Sequence, residues 1–263
     1  MQHLRRLTGR RRTRQAEDRF VVEGAKLLAE ARAAGAPIET VFLDAAAATA
    51  AERQLALACT ASGAQVLELQ AGVLGRACET VTSQPIAAIV GTVDITMAQL
   101  RDRRPNPNLI VICADVRDPG NIGTIIRSAG AAGADAVICC AGSVDVYNPK
   151  AVRSSAGALF HVPIVVGGEA AEVLDEVAGW GLRRWGTSAV GGRSYDEVDL
   201  TAPAALVFGN EGHGLAESLP RHLDGTLNIP MAARVESLNV ATTAAVLCFE
   251  AARQRRAVPA ATR

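Results

Sequence analysis

The run Leu109-Ile110-Val111-Ile112-Cys113 constrains this chain more than any other stretch. Five consecutive apolar residues, mostly β-branched, suit a strand buried on both faces. Similar runs recur at Ala136–Cys140 and Ala204–Phe208, and further strands read at Val162–Val166, Leu182–Gly186 and Leu227–Ile229. Helical stretches are expected between them, near 122–132, 148–158, 169–179 and 214–219. Strands apolar throughout and alternating with helices predict a parallel sheet covered on both sides. Ligands on such sheets bind beyond the carboxyl ends of the strands.

Ahead of this region, Phe20–Gly24, Val41–Leu43, Val66–Leu69 and Ile86–Val90 read as strands, with helices over 25–34 and 45–62. They predict a smaller α/β unit. The stretch Arg101-Asp102-Arg103-Arg104-Pro105-Asn106-Pro107-Asn108 has dense charge and two prolines. It is expected to be a linker between domains at 1–100 and 109–263.

The net charge of zero hides an uneven distribution: Arg5, Arg6, Arg10, Arg11, Arg12 and Arg14 crowd the start. Residues 1–14 read either as a solvated tail or as an arm for RNA phosphates. Aromatic residues make up 3% of the chain, too few for single-stranded nucleic acid held mainly by base stacking. The six cysteines form no CxxC pair, and most sit in apolar runs. No metal-ligand spacing joins the histidines, so no metal is expected. No signal peptide or membrane-length apolar run is read, which predicts a cytoplasmic protein.

Three polar loops follow strands of the larger region. In Asp118-Pro119-Gly120-Asn121-Ile122-Gly123-Thr124-Ile125-Ile126-Arg127, Asn121 reads as a helix N-cap. Arg127, about two turns further on, either covers apolar surface with its stem or aims its guanidinium at a phosphate. In Gly209-Asn210-Glu211-Gly212-His213-Gly214, the glycines permit close backbone approach. Glu211 reads as a ligand-binding carboxylate or a turn charge, and His213 as a bystander. The third loop runs from Ile229-Pro230-Met231 to Ser237-Leu238-Asn239. There Ser237 reads as the N-cap of a final helix, with Asn239 in its first turn; cap and site remain equal options. None of the loops is a dinucleotide fingerprint or a P-loop.

Taken in order, these three strings resemble the three motifs of the SpoU/TrmH family of RNA ribose 2′-O-methyltransferases, over about residues 109–255. Val21-Val22-Glu23-Gly24 and the following Leu27–Ala31 resemble the ribosomal-protein-like α/β substrate-binding domain that accompanies many members. The resemblance implies a C-terminal α/β domain tied in a trefoil knot. It implies S-adenosylmethionine held by Thr187, Ser188, Ala189, Gly209, Ile229 and Leu238. It implies catalytic roles for Asn121, Arg127, Glu211, Ser237 and Asn239. Arg127 would fix the RNA phosphate and stabilise the developing alkoxide, with Ser237 and Asn239 orienting Arg127 or the ribose.

The same resemblance implies a homodimer acting on RNA, with 23S ribosomal RNA favoured because tRNA-modifying members often lack the N-terminal domain. A tRNA ribose methyltransferase and a catalytically silent RNA-binding protein are the alternatives. Lys150 and Arg153, three apart on one helical face, read as phosphate contacts or as ordinary surface charge. With Arg5, Arg6, Arg10, Arg11 and Arg12 they complete the expected RNA-binding set.

Overall fold

A computed structural model describes residues 1–78, 84–232 and 236–257. Two compact units divide the chain: Met1–Val93 with Asp145–His161, and Asp94–Val144 with Val162 onward.

The first unit begins with two helices, α1 (Gln2–Gly9) and α2 (Arg11–Glu17), where a solvated tail was one expectation. Leu4 and Leu7 lie three apart on one face of α1, and both are fully buried. They join Val21, Phe42, Leu74 and Ile89 in a core cluster. The chain continues through β1 (Arg19–Glu23), α3 (Ala25–Ala33), β2 (Ile38–Asp44), α4 (Ala50–Thr60), β3 (Gln65–Leu69), α5 (Gly75–Cys78) and β4 (Ile86–Gly91). The strands form a sheet in the order β1-β4-β2-β3. Helix α4 starts later than the expected residue 45, because Thr49 and Glu52 close a reciprocal capping box there.

The second unit opens with α6 (Met97–Arg103), whose last turn takes the first three residues of the expected linker. Thr96 and Gln99 form its capping box, a start signal that outweighs the charge and prolines just beyond. Then come β5 (Leu109–Cys113), α7 (Pro119–Ala132) and β6 (Ala136–Cys139).

Residues 145–161, with α8 (Pro149–Ser154), belong to the first unit. Asp145 meets the buried Arg14 there, with Nε to Oδ2 at 2.8 Å. Tyr147 packs on Phe20 with ring centroids 4.6 Å apart.

The second unit resumes with β7 (Ile164–Val166), α9 (Ala170–Gly179), β8 (Arg183–Thr187), β9 (Arg193–Ser194), β10 (Ala204–Phe208), β11 (Gly225–Asn228) and α10 (Val240–Ala257). Its seven strands are ordered β7-β6-β5-β10-β8-β11-β9. Every pairing in that sheet is parallel, as the alternation of strands and helices predicts. All residues of β5, β6 and β10 are buried. Ile110, Ile112, Ile138 and Val207 share a core with Leu174 and Val177 of α9, while α10 packs on α7. The helix expected near 214–219 is absent; those residues form turns. Asn210 and Gly214 close a tight turn through reciprocal backbone hydrogen bonds, and Pro220 follows. Among the described residues no helix is long and apolar enough to cross a membrane.

Candidate functional site

The adjacent strands β5, β10, β8 and β11 release their carboxyl ends toward the three polar loops and the segment after Thr187. A cleft of about 490 Å³ lies among the last three of these ends. Thr187, Ser188, Ala189, Gly209, Ile229 and Leu238 all line it, together with Glu211, His213, Glu236 and Ser237. Asn210, Thr226 and Met231, not singled out as site residues from the sequence, line it as well.

Gly209 is fixed by contact. A Cβ there would stand 2.4 Å from the backbone of Gly214, closer than real atoms approach. The loop folds back so tightly because Asn210 organises it. Its Oδ1 accepts the backbone N–H groups of Gly212 (2.9 Å) and His213 (3.2 Å). Its Nδ2 donates to the Asp115 carbonyl at 3.2 Å, joining this loop to the one after β5. An Asn directly after a strand-ending glycine carries this Asx-turn signal in the sequence.

At the head of α7 the cap is Asp118, not Asn121: Asp118 Oδ1 accepts the Asn121 N–H at 2.9 Å. Pro119 takes the first helical position, where no N–H is needed. Asn121 is thereby free to bond outward. Its Nδ2 donates to Glu211 Oε1 at 3.0 Å, and its Oδ1 accepts from Asn239 Nδ2 at 3.0 Å. Glu211 also accepts the backbone N–H groups of Asp118 (2.9 Å) and Arg117 (3.1 Å). The acceptor-only carboxylate fixes the orientation of both amides along the row.

The Glu211 carboxyl is held below its ordinary pKa. Burial is the largest single influence and opposes the charge, but the hydrogen bonds from Asn121, Asp118 and Arg117 together outweigh it.

Asn239 also corrects the reading of the final helix. Its Oδ1 accepts from the N–H groups of Ala241 and Thr242, so Asn239 caps α10 and the helix begins at Val240. Ser237 lies ahead of the helix on the cleft wall. Ala233, Arg234 and Val235 of the same loop lie outside the described residues.

The geometry thus brings Asn121, Glu211 and Asn239 into one hydrogen-bonded row. Arg127 is exposed on α7 and makes no hydrogen bond or ion pair among the described residues, to Ser237 and Asn239 included. Lys150 and Arg153 sit on α8 in the other unit, with Arg153 3.8 Å from Glu23. Arg5, Arg6, Arg10, Arg11 and Arg12 are exposed on α1, α2 and their junction. The buried thiols are poor nucleophiles: burial pushes Cys140 and Cys248 up to about 12.

The profile of the SpoU rRNA methylase family matches residues 108–249, more than half of the chain and the whole of this constellation. The chain belongs to the SpoU rRNA methylase family. An MRM3-like substrate-binding domain matches the SpoU chain's residues 1–88. The 23S rRNA (guanosine(2553)-2′-O)-methyltransferase RlmP of Bacillus subtilis is 36% identical to it over 188 residues, covering 72% of this chain and 73% of the relative. Two solved SpoU-like structures superpose on nearly the full length. AdoMet-bound rRNA methyltransferase from Sinorhizobium meliloti has TM-score 0.85 and 30% identity, covering 98% of this chain and 95% of that one. AviRb from Streptomyces viridochromogenes, in complex with the cofactor AdoMet, has TM-score 0.85 and 31% identity, with 98% of each chain covered.

Proposed function

We propose that the protein methylates a ribose 2′-hydroxyl of 23S ribosomal RNA, using S-adenosylmethionine. The observation that carries this reading is the Glu211–Asn121–Asn239 row beside a cleft whose described lining contains no lysine or arginine. A nucleotide phosphate calls for cationic donors. A lining of backbone, hydroxyl and apolar groups with the carboxylates of Glu211 and Glu236 suits a phosphate-free nucleoside bearing positive charge. The residues therefore fit the cofactor, with Thr187, Ser188, Ala189, Gly209, Ile229 and Leu238 as its walls. When bound, S-adenosylmethionine supplies an electrophilic methyl group.

The chain's own residues prepare the other reactant. A hydroxyl attacks poorly until its oxygen gains charge. Arg127, whose guanidinium is uncommitted among the described residues, grips the RNA phosphate and stabilises the alkoxide as the hydroxyl proton leaves. Asn121 and Asn239, locked in orientation by Glu211, position the ribose, and Ser237 faces the same reaction centre. The five exposed arginines of α1 and α2, with Lys150 and Arg153 on α8, add phosphate contacts. Two chains act together as a homodimer, and the trefoil passage of the C-terminal segment belongs to the same reading. The relatives' names support 23S rRNA as the substrate.

The test is mass-spectrometric mapping of 2′-O-methyl groups on 23S rRNA and on tRNA, each incubated with the protein and S-adenosylmethionine. One new methylated ribose is expected. Modification confined to tRNA would redirect the substrate assignment, and no cofactor binding in calorimetry would leave a silent RNA-binding protein.

A further inference from the structure

Arg117 stands in the turn between β5 and α7, outside the cleft lining and outside every motif role assigned above. Its surroundings hold it in an unusually defined way. Its backbone N–H donates to the Glu211 carboxylate at 3.1 Å, so the turn is pinned to the residue that orients Asn121. Its side chain is anchored at one nitrogen only: Nε donates to Asp115 Oδ1 at 2.8 Å. Asp115 has left-handed backbone, φ +67°, and accepts from Asn210 through its carbonyl (3.2 Å) and its Oδ2 (3.3 Å). The anchor is therefore tied to both loops at the head of the site.

Beyond Nε, the two terminal guanidinium nitrogens have no partner among the described residues, and the side chain is 70% exposed. An arginine clamped at Nε with both terminal nitrogens presented to solvent is a preorganised fork for an anion with two oxygens. Ordering a free arginine costs rotamer entropy on binding, and the Asp115 clamp has already met part of that cost. The anion that reaches this rim during the proposed reaction is the RNA backbone.

We propose that Arg117 is a substrate-binding residue that grips an RNA phosphate near the target ribose, separate from the phosphate held by Arg127. This rests on the methyl-transfer reading of the same site. It adds a contact that serves RNA affinity and register, and leaves cofactor binding alone. Asp115 acts through Arg117 as a positioning residue.

The test compares wild type, Arg117→Ala, Arg117→Lys and Asp115→Asn with the rRNA substrate identified by mapping. KM for RNA, kcat, the salt dependence of RNA binding and S-adenosylmethionine affinity are measured for each. Truncation at Arg117 leaves its backbone N–H on Glu211, so the loop keeps its pin. Arg117→Ala is expected to raise KM about tenfold, with kcat within about twofold, and to lower the slope of log K against log salt by about one. Arg117→Lys should recover the salt slope but only part of KM, since a point charge lacks the fork. Asp115→Asn should raise KM by a smaller factor than Arg117→Ala.

Unchanged KM and salt slope in Arg117→Ala would overturn the proposal while wild-type turnover leaves the methyl-transfer reading intact. Loss of S-adenosylmethionine affinity in Arg117→Ala would overturn it too, by making Arg117 a structural part of the cofactor loop. Absence of methyl transfer in wild type would instead sink the underlying reading.

Discussion

Asn239 spends the two ends of its side chain on different elements. Oδ1 caps α10, and Nδ2 holds Asn121. Asn239→Ala should therefore cost about 1 kcal/mol of stability as a lost cap and lose methyl transfer as Asn121 turns free. Ser237→Ala, in which no cap is removed, should unfold at the wild-type temperature and show its defect only in turnover. Thermal unfolding of both variants separates the roles that the sequence left joined. Arg127→Ala should bind S-adenosylmethionine with wild-type affinity and transfer no methyl group, measured by calorimetry and by a radiolabelled-methyl assay. Wild-type turnover in that variant would remove Arg127 from the chemistry.

Glu211 gives a pH prediction whose sign follows from its surroundings. Its folded pKa is lowered, because hydrogen bonds to the carboxylate outweigh burial. Its stabilisation is therefore fully present above the unfolded value and is lost as pH falls through the folded one. Glu211→Gln should melt below wild type at neutral pH, and the gap should narrow only below about pH 4.5, the ordinary value for this carboxyl. A gap that closes between pH 7 and 5 would contradict the assigned network.

Among elements, the loop after β10 is the most exacting. Gly209→Ala drives a Cβ into the Gly214 backbone, whose atoms cannot swing aside as a side-chain tip can. Overpacking of this kind costs about 1–3 kcal/mol, and here the displaced loop carries Glu211 and part of the cleft. Calorimetry should show weakened S-adenosylmethionine binding together with a lowered melting temperature.

The central strands β5, β6 and β10 were legible because double burial writes an unbroken apolar run into the chain; the two-residue β9, Arg193–Ser194, carries no such run and was not expected. Two helix ends were misread for an equally local reason. Ser, Asp and Asn all cap helices, and which of two neighbours does so depends on where the backbone turns. The phantom helix at 214–219 shows the same limit, since the Asn210–Gly214 turn and Pro220 settle that stretch from either side.

At the scale of the molecule, the N-terminal segment changes meaning. Helices α1 and α2 bury two leucines and one arginine beneath five exposed arginines. Arg14 is 3% exposed and Asp145 8%, with 131 residues of sequence separating them. Arg14→Ala strands a buried carboxylate and should cost about 3–5 kcal/mol, whereas Arg14→Met with Asp145→Leu should recover only part of that loss, because the Tyr147 N–H and the Leu7 and Thr8 carbonyls lose their partners. Replacing Arg5, Arg6 and Arg10 with glutamine should instead leave the melting temperature unchanged and flatten the salt dependence of RNA binding. Urea melts and RNA titrations distinguish these outcomes.

By itself the sequence determined the parallel sheet, all its strands along the chain but the short β9, the three polar loops and the family whose motifs they match. Those properties are written in neighbouring residues: apolar runs, turn formers and short motifs. Tertiary structure alone decided that Asp118 and Asn239 are the caps, that Arg14 seeks Asp145, that residues 145–161 join the first unit, and that Asn121, Glu211 and Asn239 form one row. Each of these pairs groups far apart in the chain or chooses between candidates two or three residues apart. Such choices rest on distances that only the packed sheets impose.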